Sequence, residues 1–255
     1  MLTVIYTTFN EIDIIGRSLD SLGGLGEEVI VVDSYSTDGT AELLRERPEV
    51  TLHQREYRGP ADQKNWAIER AAHEWILLLD ADEIVTTELR NEVALLLRHR
   101  PKKDAYWIHR NNFFMGRRIY HSGWAGERVV RFFHRDRARY NDNRVHEEIV
   151  LDGLTVGTLA GRLDHYVFKN LAHFQAKNER YARWSARDKD ARTGRIGPFH
   201  LLVKPVWRFL KHYVLQGGFR DGKEGLILSM IIGYSVFQRY AFMLEERRAR
   251  KVTRN

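Results

Sequence analysis

The feature that most constrains the fold is an apolar run, Trp75 to Leu79, that ends directly in the acidic stretch Asp80-Ala81-Asp82-Glu83. Consecutive apolar residues of this kind are typical of a strand that is buried on both faces of a parallel sheet. Open parallel sheets bind their ligands at the carboxyl ends of their strands, which is where these three carboxylates lie. We therefore expect an α/β fold with a site beside Asp80 and Asp82.

The spacing of these two aspartates also indicates a metal. Asp80 and Asp82 are two apart in an extended chain, so both carboxylates can reach one point at the strand end. Hard oxygen ligands suit Mg²⁺ or Mn²⁺, which complete their coordination with waters and substrate phosphates. The alternative is a solvated acidic loop that leads into a helix beginning near Thr86 and Thr87.

Strand and helix patterns alternate through the N-terminal part of the chain. Helical patterns separate the predicted strands, and one of them, Ala61 to Ala72, carries Lys64 and Asn65 near its start. This alternation predicts a Rossmann-like, mostly parallel sheet with right-handed crossovers and flanking helices. The predicted strands are Leu2 to Tyr6, Glu28 to Asp33, Val50 to Gln54 and the run that begins at Trp75.

Polar residues at three of these strand ends, Thr7, Asp33 and Asp80, are expected to meet along one edge of the sheet. A nucleotide base offers an imide or amide edge to Asp33. Its diphosphate offers negative charge to Lys64 and to a metal held by Asp82. Asp33 could instead cap a turn, and Lys64 could be an exposed helix residue.

Four motifs follow one another in the N-terminal part of the chain: Thr7-Thr8-Phe9-Asn10-Glu11, Val31-Val32-Asp33-Ser34 with Ser36-Thr37-Asp38-Gly39-Thr40, Lys64-Asn65 and Asp80-Ala81-Asp82-Glu83. Together they resemble the motifs of family 2 glycosyltransferases, and in particular those of the lipopolysaccharide core β-1,4-glucosyltransferase group. The resemblance implies a GT-A fold, an inverting reaction, a nucleotide-diphosphate sugar donor with UDP-glucose favoured, and a divalent metal. It places Thr7, Glu11 and Asp33 at the nucleoside, and Asp80 and Asp82 beside the ribose, diphosphate and metal. The same motifs also contribute further residues to the predicted donor site, namely Phe9, Asn10, Ser34, Ser36, Lys64, Asn65 and Ala81.

Further candidates follow in the middle of the chain. Two more strands are predicted, Ala105 to Arg110 and Arg128 to Phe133, and Arg128 and Arg131 on the second are candidate diphosphate contacts. The aromatic and glycine-rich segment between these strands suits either a wall over a sugar or a hairpin that packs on the core.

The stretch Arg144-Val145-His146-Glu147-Glu148 supplies the acid that an inverting transferase needs. A single displacement requires a carboxylate to take the proton of the acceptor hydroxyl. The resemblance points to Glu147, with Glu148 as the second candidate because strand alternation directs the two to opposite faces. It also suggests that His165 lies near the metal or diphosphate.

The C-terminal part of the chain differs from the rest in charge. From Phe199 onward it holds 11 Lys/Arg and 4 Asp/Glu, whereas the preceding residues hold 30 of each. Amphipathic helical patterns and a basic end predict association with an anionic membrane surface. The alternative is a soluble helical extension that packs on the catalytic domain or forms a dimer. The apolar run Leu226 to Phe237 is too short for an ordinary spanning helix. We divide the chain into a catalytic domain (1–191), a linker (192–198) and a basic, amphipathic helical extension (199–255).

These features favour an inverting, metal-dependent transferase that moves a hexose, glucose by resemblance, to a lipid-linked saccharide such as the lipopolysaccharide inner core. The predicted location is the cytoplasmic, inner face of a bacterial plasma membrane. The absence of cysteine excludes disulfides and thiolate catalysis. One alternative is a sugar-phosphate nucleotidyltransferase, although the segment after the first strand lacks the Gly-rich, basic loop that holds a triphosphate. The other is a non-enzymatic, basic membrane or nucleic-acid adaptor. The sequence contains no recognisable nucleic-acid-binding motif, and we do not expect nucleic acid as a partner.

Overall fold

A computed structural model describes residues 1–141, 148–168 and 170–252, with the backbone alone at 251 and 252. The chain forms two compact units. Unit 1 contains Met1–Asn111 and Glu127–His165, and unit 2 contains Asn112–Gly126 and the chain from Tyr166. Most strands lie in unit 1, and the long helices α5 (Leu171–Asp190) and α7 (Gly222–Val252) lie in unit 2.

Unit 1 begins with the four strands that the sequence predicts, paired in parallel in the order β3-β2-β1-β4. They are β1 (Leu2–Thr8), β2 (Glu28–Asp33), β3 (Val50–Gln54) and β4 (Trp75–Asp80), and the helices between them are α1 (Ile15–Ser21), α2 (Thr40–Arg45) and α3 (Pro60–Ile68). The predicted parallel sheet with flanking helices is confirmed. Helix α3 ends before the predicted Ala72, because the amides of Arg70 and Ala71 bond to carbonyls three residues back and tighten the chain.

The sheet then continues with antiparallel strands. The remaining elements of this part are β5 (Glu83–Val85), α4 (Thr87–Arg98), β6 (Ala105–Phe114), β7 (Arg117–Arg118), β8 (Arg128–His134) and β9 (Val156–His165). Strand β8 pairs with β4, and the order continues β8-β6-β9-β5, with β7 paired to the end of β6. Strand β9 was not predicted, because Gly157 and Gly161 interrupt an otherwise alternating apolar pattern.

Side-chain alternation along the strands buries both faces of the sheet. On one face Val4, Tyr6 and Leu77 pack with residues of α1 and α4, including Ile15 and Leu89. The residues next to these in the strands point to the other face, where Ile5 and Leu78 pack with Ala67 and Ile68 of α3. The continuous apolar run in β4 is therefore explained by helices on both sides.

Strand β9 lies unusually close to α4. A Cβ atom at Gly161 would overlap the backbone of Leu89. Thr86 fixes the start of α4, since its hydroxyl accepts a hydrogen bond from the Leu89 amide and donates one to the Arg162 carbonyl. The prediction that the helix begins at this threonine pair is confirmed.

Unit 2 consists of α5, α7 and a helical segment between them. This segment, 199–215, comprises a π-helical turn (Phe199–Val203), α6 (Lys204–Leu210) and a second π-helical turn (Lys211–Leu215), and a 3₁₀ turn (Gly218–Asp221) leads into α7. Helices α6 and α7 cross at Gly233, where a Cβ would come within 3.1 Å of Phe209 Cβ. The predicted helical pattern of this region is therefore present.

Two expectations for this region differ from the structure. Helix α7 is much longer than the apolar run Leu226 to Phe237, because the helical pattern continues through charged residues that pair with α5. In the described chain, one helix, Gly218–Arg250, is long and apolar enough to span a membrane on length and composition alone. The boundary between the compact units also lies at Tyr166 rather than near residue 191, because α5 packs along α7.

Candidate active site

Parallel pairing brings three predicted site residues to one edge of unit 1. The register aligns Thr8 with Asp33 and Thr7 with Asp80, so the ends of β2, β1 and β4 lie side by side. This is the edge at which a parallel sheet binds its ligand. The expectation that Thr7, Asp33 and Asp80 gather at one edge agrees with this arrangement.

Asp33 is fully buried and organises the loop after β2. Its carboxylate accepts hydrogen bonds from the Ser36 amide (2.9 Å), the Ser36 hydroxyl and Gln54 Nε2 (3.1 Å). The Ser36 hydroxyl in turn accepts from the Asn10 amide at 2.8 Å. A single buried carboxylate thus fixes the loops after both β1 and β2.

These two loops are joined by further reciprocal bonds. Asn10 Oδ1 accepts from the Thr37 amide at 2.8 Å, and the Glu11 amide donates to the Thr40 hydroxyl at 2.9 Å. Asn10 has a positive φ of 56°, a left-handed conformation that asparagine tolerates better than most residues. Phe9 is exposed at the same edge. Glu11 and Asp33, two of the three predicted nucleoside residues, therefore belong to one hydrogen-bonded group with an exposed aromatic ring beside it.

Asp80 lies among three cationic side chains at the end of β4. Lys64 Nζ is 3.4 Å and Arg110 NH2 is 3.5 Å from its carboxylate, and Arg131 makes a direct ion pair with it. Burial raises the pKa of Asp80, but the charges of Arg131, Lys64 and Arg110 outweigh that effect and hold the pKa well below its usual range. Asp80 is therefore an anion whose oxygens face positive charge.

Glu83 is the second acid of this group, which we call the charge cluster: Lys64, Asp80, Glu83, Arg110 and Arg131. Its buried carboxylate pairs with Arg110 and with Arg131, whose Nε is 3.1 Å away, and it accepts the Asp80 amide at 2.9 Å. Burial lowers the pKa of Arg131, but the adjacent Asp80 and Glu83 raise it well above its ordinary value. Burial also lowers the pKa of Arg110, but Glu83 and Asp80 raise it above its ordinary value, so both arginines stay charged.

Asp82 lies at the other side of the acidic stretch, opposite His165 of β9. His165 Nε2 is 3.6 Å from Asp82 Oδ2, and both side chains are mostly buried. Strands β5 and β9 pair with Glu83 opposite His165, which brings the preceding residue, Asp82, close to the His165 side chain. Among the described residues, no group of three or more His, Cys, Asp or Glu side chains forms a complete metal site. One carboxylate and one imidazole fit a cation that takes its remaining ligands from water and a bound phosphate.

Three predicted donor contacts have other partners. Asn65 bonds both ways to the Tyr140 backbone, at 2.9 Å and 3.0 Å. Arg128 lies over the Trp107 ring at 4.6 Å rather than beside Asp80, and Ser34 accepts from Gln63 Nε2 at 3.1 Å. Arg131 therefore belongs to the charge cluster, whereas Arg128 does not.

The predicted base, Glu147, lies outside the described residues, and Glu148 is exposed. The chain on either side of this stretch is held together by an antiparallel bridge between Tyr140 and Ile149 and by a bond from the Asn141 amide to the Glu148 carbonyl at 3.0 Å. Tyr140 accepts from Arg131 at 3.2 Å through its hydroxyl. The charge cluster is thus linked to the residues that flank Glu147.

Sequence reasoning missed the roles of Arg110, Glu83 and Tyr140. Glu83 stood in the acidic motif without an assigned partner, and Arg110 stood at the end of a predicted strand. A buried arginine two strands away from a buried acid leaves no local spacing signal. A basic residue late in an otherwise apolar strand is the signal that could have identified Arg110.

Comparisons with known proteins identify the fold and the family. The lipopolysaccharide core biosynthesis glycosyltransferase LpsC of Rhizobium meliloti (strain 1021) is 27% identical over 245 residues, which is 91% of this chain and 90% of that protein. An uncharacterized glycosyltransferase of Rickettsia felis is also 27% identical, over 93% of this chain and 87% of its own length.

A mannosyltransferase from Pyrobaculum calidifontis, PcManGT, solved in complex with GDP-Man and Mn²⁺, superposes with a TM-score of 0.58 at 20% identity, covering 95% of this chain and 86% of that one. The architecture is therefore the GT-A fold. The sequence profile of glycosyl transferase family 2 matches residues 3–150. Since that match covers more than half of the sequence, the chain belongs to glycosyl transferase family 2.

Proposed function

We propose that this enzyme transfers a hexose, with UDP-glucose favoured as the donor, to a lipid-linked saccharide such as the lipopolysaccharide inner core, with inversion at the anomeric carbon. The observation that carries the proposal is the pair Asp82 and His165 beside the cationic cluster around Asp80. A relative named for lipopolysaccharide core biosynthesis supports the acceptor class. The solved mannosyltransferase complex with GDP-Man and Mn²⁺ supports a nucleotide sugar and a divalent metal.

We assign the metal, Mg²⁺ or Mn²⁺, to Asp82 and His165. When bound, the cation supplies Lewis-acid stabilisation of the leaving diphosphate. The sequence also suggested Asp80 as a metal ligand. Three cations already face the Asp80 carboxylate, and a divalent ion there would meet their repulsion. We therefore propose that Asp80 positions the side chains of Lys64, Arg110 and Arg131 at the strand end and is not a metal ligand.

The nucleoside lies, in this proposal, on the joined loops after β1 and β2. Asp33 and Ser36 shape the site for the base, and Thr7 and Glu11 lie at its edge. Because these loops are fixed by buried hydrogen bonds, they are organised before the donor binds, which reduces the entropy lost on binding.

The chemical step is a single displacement. The acceptor hydroxyl attacks the anomeric carbon, the bond from that carbon to the phosphate oxygen breaks, and the nucleoside diphosphate leaves with the electron pair. The hydroxyl proton passes to Glu147, with Glu148 as the second candidate. The lipid-linked acceptor places the enzyme at the cytoplasmic face of the plasma membrane as a peripheral protein.

The primary test is donor hydrolysis by the purified enzyme with Mn²⁺, because the released product separates the reaction classes. We expect nucleoside diphosphate, whereas a nucleotidyltransferase acting on a nucleoside triphosphate and a sugar phosphate releases pyrophosphate. A thermal-shift panel of nucleotide sugars with and without metal identifies the donor, since a ligand that binds the folded state raises its stability by mass action. An absence of both metal-dependent binding and hydrolysis for every nucleotide sugar refutes the proposal.

The base is tested by comparing Glu147→Gln with Glu148→Gln. We expect the first variant to lose about a hundredfold or more in kcat, within the range for general base catalysis, while nucleotide binding is retained. Glu148→Gln serves as the matched control and should keep most of its activity. The opposite result transfers the base to Glu148, and two active variants contradict the mechanism.

A further inference from the structure

Unit 2 carries an exposed apolar stripe on each of two packed helical elements. On α7 the exposed residues Leu226, Met230, Tyr234 and Phe237 recur at helical spacing, with Met230 exposed by 59% and Tyr234 by 57%. The 199–215 segment has a similar stripe, whose exposed members are Phe199, Leu202, Val203, Val206, Trp207, Leu210, Val214 and Leu215. Soluble proteins rarely leave such a set of large apolar side chains uncovered unless it binds something.

The charges of this region identify the class of partner. Between Phe199 and Leu244 the only acidic residues are Asp221 and Glu224, whereas six residues are basic. Asp221 is buried and accepts the amides of Tyr120 and His121, and Glu224 pairs with Arg117. The basic residues are Lys204, Arg208, Lys211, Arg220, Lys223 and Arg239, of which Lys211, Arg220 and Lys223 are exposed. An apolar face bordered by uncompensated positive charge is complementary to anionic lipid headgroups above acyl chains.

The packing of α7 favours a position in the membrane interface over a transmembrane span. Its opposite face packs on α5 along most of its length, through Leu228 with Phe174 and through Tyr240 and Met243 with Ala186. Helix α5 is highly charged, and its Asp190 pairs with Arg247 of α7. A spanning α7 would carry these charges into the hydrocarbon, which is costly.

The length of the uncharged run agrees with this orientation. Between Glu224 and Arg239 lie 14 residues without a charge. At about 1.5 Å per residue this run covers about 21 Å, less than the roughly 30 Å of a hydrocarbon core. Trp207 and Tyr234, both exposed, are residue types that concentrate at the level of the headgroups.

We propose that the apolar stripes of α7 and of the 199–215 segment form a docking surface that inserts into one leaflet of an anionic membrane, with Lys211, Arg220 and Lys223 at the headgroups. This inference rests on the proposed lipid-linked acceptor for its purpose, and it adds the residues that make the contact. The region acts as a monotopic anchor that places the enzyme in the same plane as a lipid-linked acceptor.

The experiment is flotation of the full-length protein with vesicles of phosphatidylcholine alone and with 30 mol% phosphatidylglycerol. We expect binding to the anionic vesicles that weakens with salt. The double variant Met230→Gln/Tyr234→Gln should lower the partition coefficient about tenfold or more, because two apolar side chains are lost from the inserted face. The matched control, Leu95→Gln/Tyr181→Gln, removes two exposed apolar side chains elsewhere and should leave binding unchanged.

A second variant separates charge from insertion. Lys211→Gln/Lys223→Gln should reduce binding to anionic vesicles severalfold and weaken its salt dependence, since Arg220 remains at the headgroups. Quenching of tryptophan fluorescence by lipids brominated on their acyl chains should occur in the wild type and decrease in Trp207→Phe.

Three outcomes overturn the proposal. One is equal binding of the wild type and Met230→Gln/Tyr234→Gln. Another is no binding to any vesicle together with a dimer in ultracentrifugation that the same variant dissociates, which assigns the surface to a second copy of the chain. The third is labelling of the two ends of α7 from opposite sides of a sealed vesicle, which indicates a span. None of these measurements uses donor or acceptor, so donor hydrolysis by the same preparations reports the proposed function separately.

Discussion

The two compact units differ in how they place charged and apolar side chains. At the strand ends of unit 1, Lys64 and Arg131 are buried, Arg110 is mostly buried, and each has an acidic partner within ion-pair distance. On the helices of unit 2, Lys211 and Lys223 are exposed beside large apolar side chains that are also exposed. The first arrangement is costly to assemble and rigid once made, whereas the second leaves its free energy of burial to be gained on binding.

This difference indicates which substitutions affect folding and which affect binding alone. Removing one partner from a buried ion pair leaves a charge that neither water nor protein solvates. Removing an exposed apolar side chain leaves the folded state almost unchanged.

Glu83→Gln should destabilise the fold by about 3 to 5 kcal/mol, because Arg110 and Arg131 would both lose their fully buried carboxylate partner and would be left with the partly exposed Asp80 and Glu127. Denaturant unfolding measures the loss. The matched control is Glu127→Gln, which removes another partner of Arg110, 3.4 Å away and partly exposed. That pair should contribute about 1 kcal/mol or less. Equal effects of the two substitutions would show that burial does not govern this cluster.

Asp82→Ala should lower metal-dependent transfer about a thousandfold while the folded state persists, because the cation loses its carboxylate ligand. Mn²⁺ electron paramagnetic resonance in the presence of nucleoside diphosphate provides a readout besides activity, and the bound signal should disappear. Asp152→Ala removes an exposed acid elsewhere and should change neither measurement. Turnover near the wild-type rate would remove Asp82 from the metal site.

Asn65→Ala should lower kcat about tenfold and leave the donor KM within about twofold, because displacements of about 1 Å near a reacting group are costly. Its amide holds both backbone groups of Tyr140, next to the segment that carries Glu147. Steady-state kinetics with varied donor separates the two parameters. A raised donor KM with unchanged kcat would instead support the sequence-based prediction that Asn65 contacts the nucleotide sugar.

Met230→Gln should change the free energy of unfolding by less than about 0.5 kcal/mol, as surface substitutions usually do. Denaturant unfolding without lipid is the measurement. A loss of 2 kcal/mol or more would mean that Met230 is covered in solution, and the contrast between the two regions would fail at this position.

Much of the parallel half of the sheet could be predicted from the sequence. The bounds of β2 and β3 agree with prediction because each strand is a compact run between turn residues. The grouping of Thr7, Asp33 and Asp80 follows from parallel pairing alone, since strand ends in such a sheet share an edge. Local patterns were sufficient because each of the first three strands is followed by its own crossover helix.

The charge cluster could not be predicted in the same way. Arg110 and Arg131 reach Glu83 only because β8 pairs antiparallel to β4 and β6 pairs with β8. That pairing is nonlocal, and no sequence spacing encodes it. The extent of α7 was also underestimated, because its charged C-terminal part is stabilised by ion pairs to α5 rather than by an apolar stripe of its own. In both cases the missing information is a partner that is distant in the chain.

The bonds that join the loops after β1 and β2 bear on attempts to engineer this enzyme. Asn10 donates to Ser36 through its amide and accepts from Thr37 through its side chain, so neither loop keeps its shape without the other. A chimera that imports one loop from a relative with a different sugar nucleotide therefore inherits mismatched partners. Transplanting both segments as a pair is the route to exchanging specificity between such enzymes.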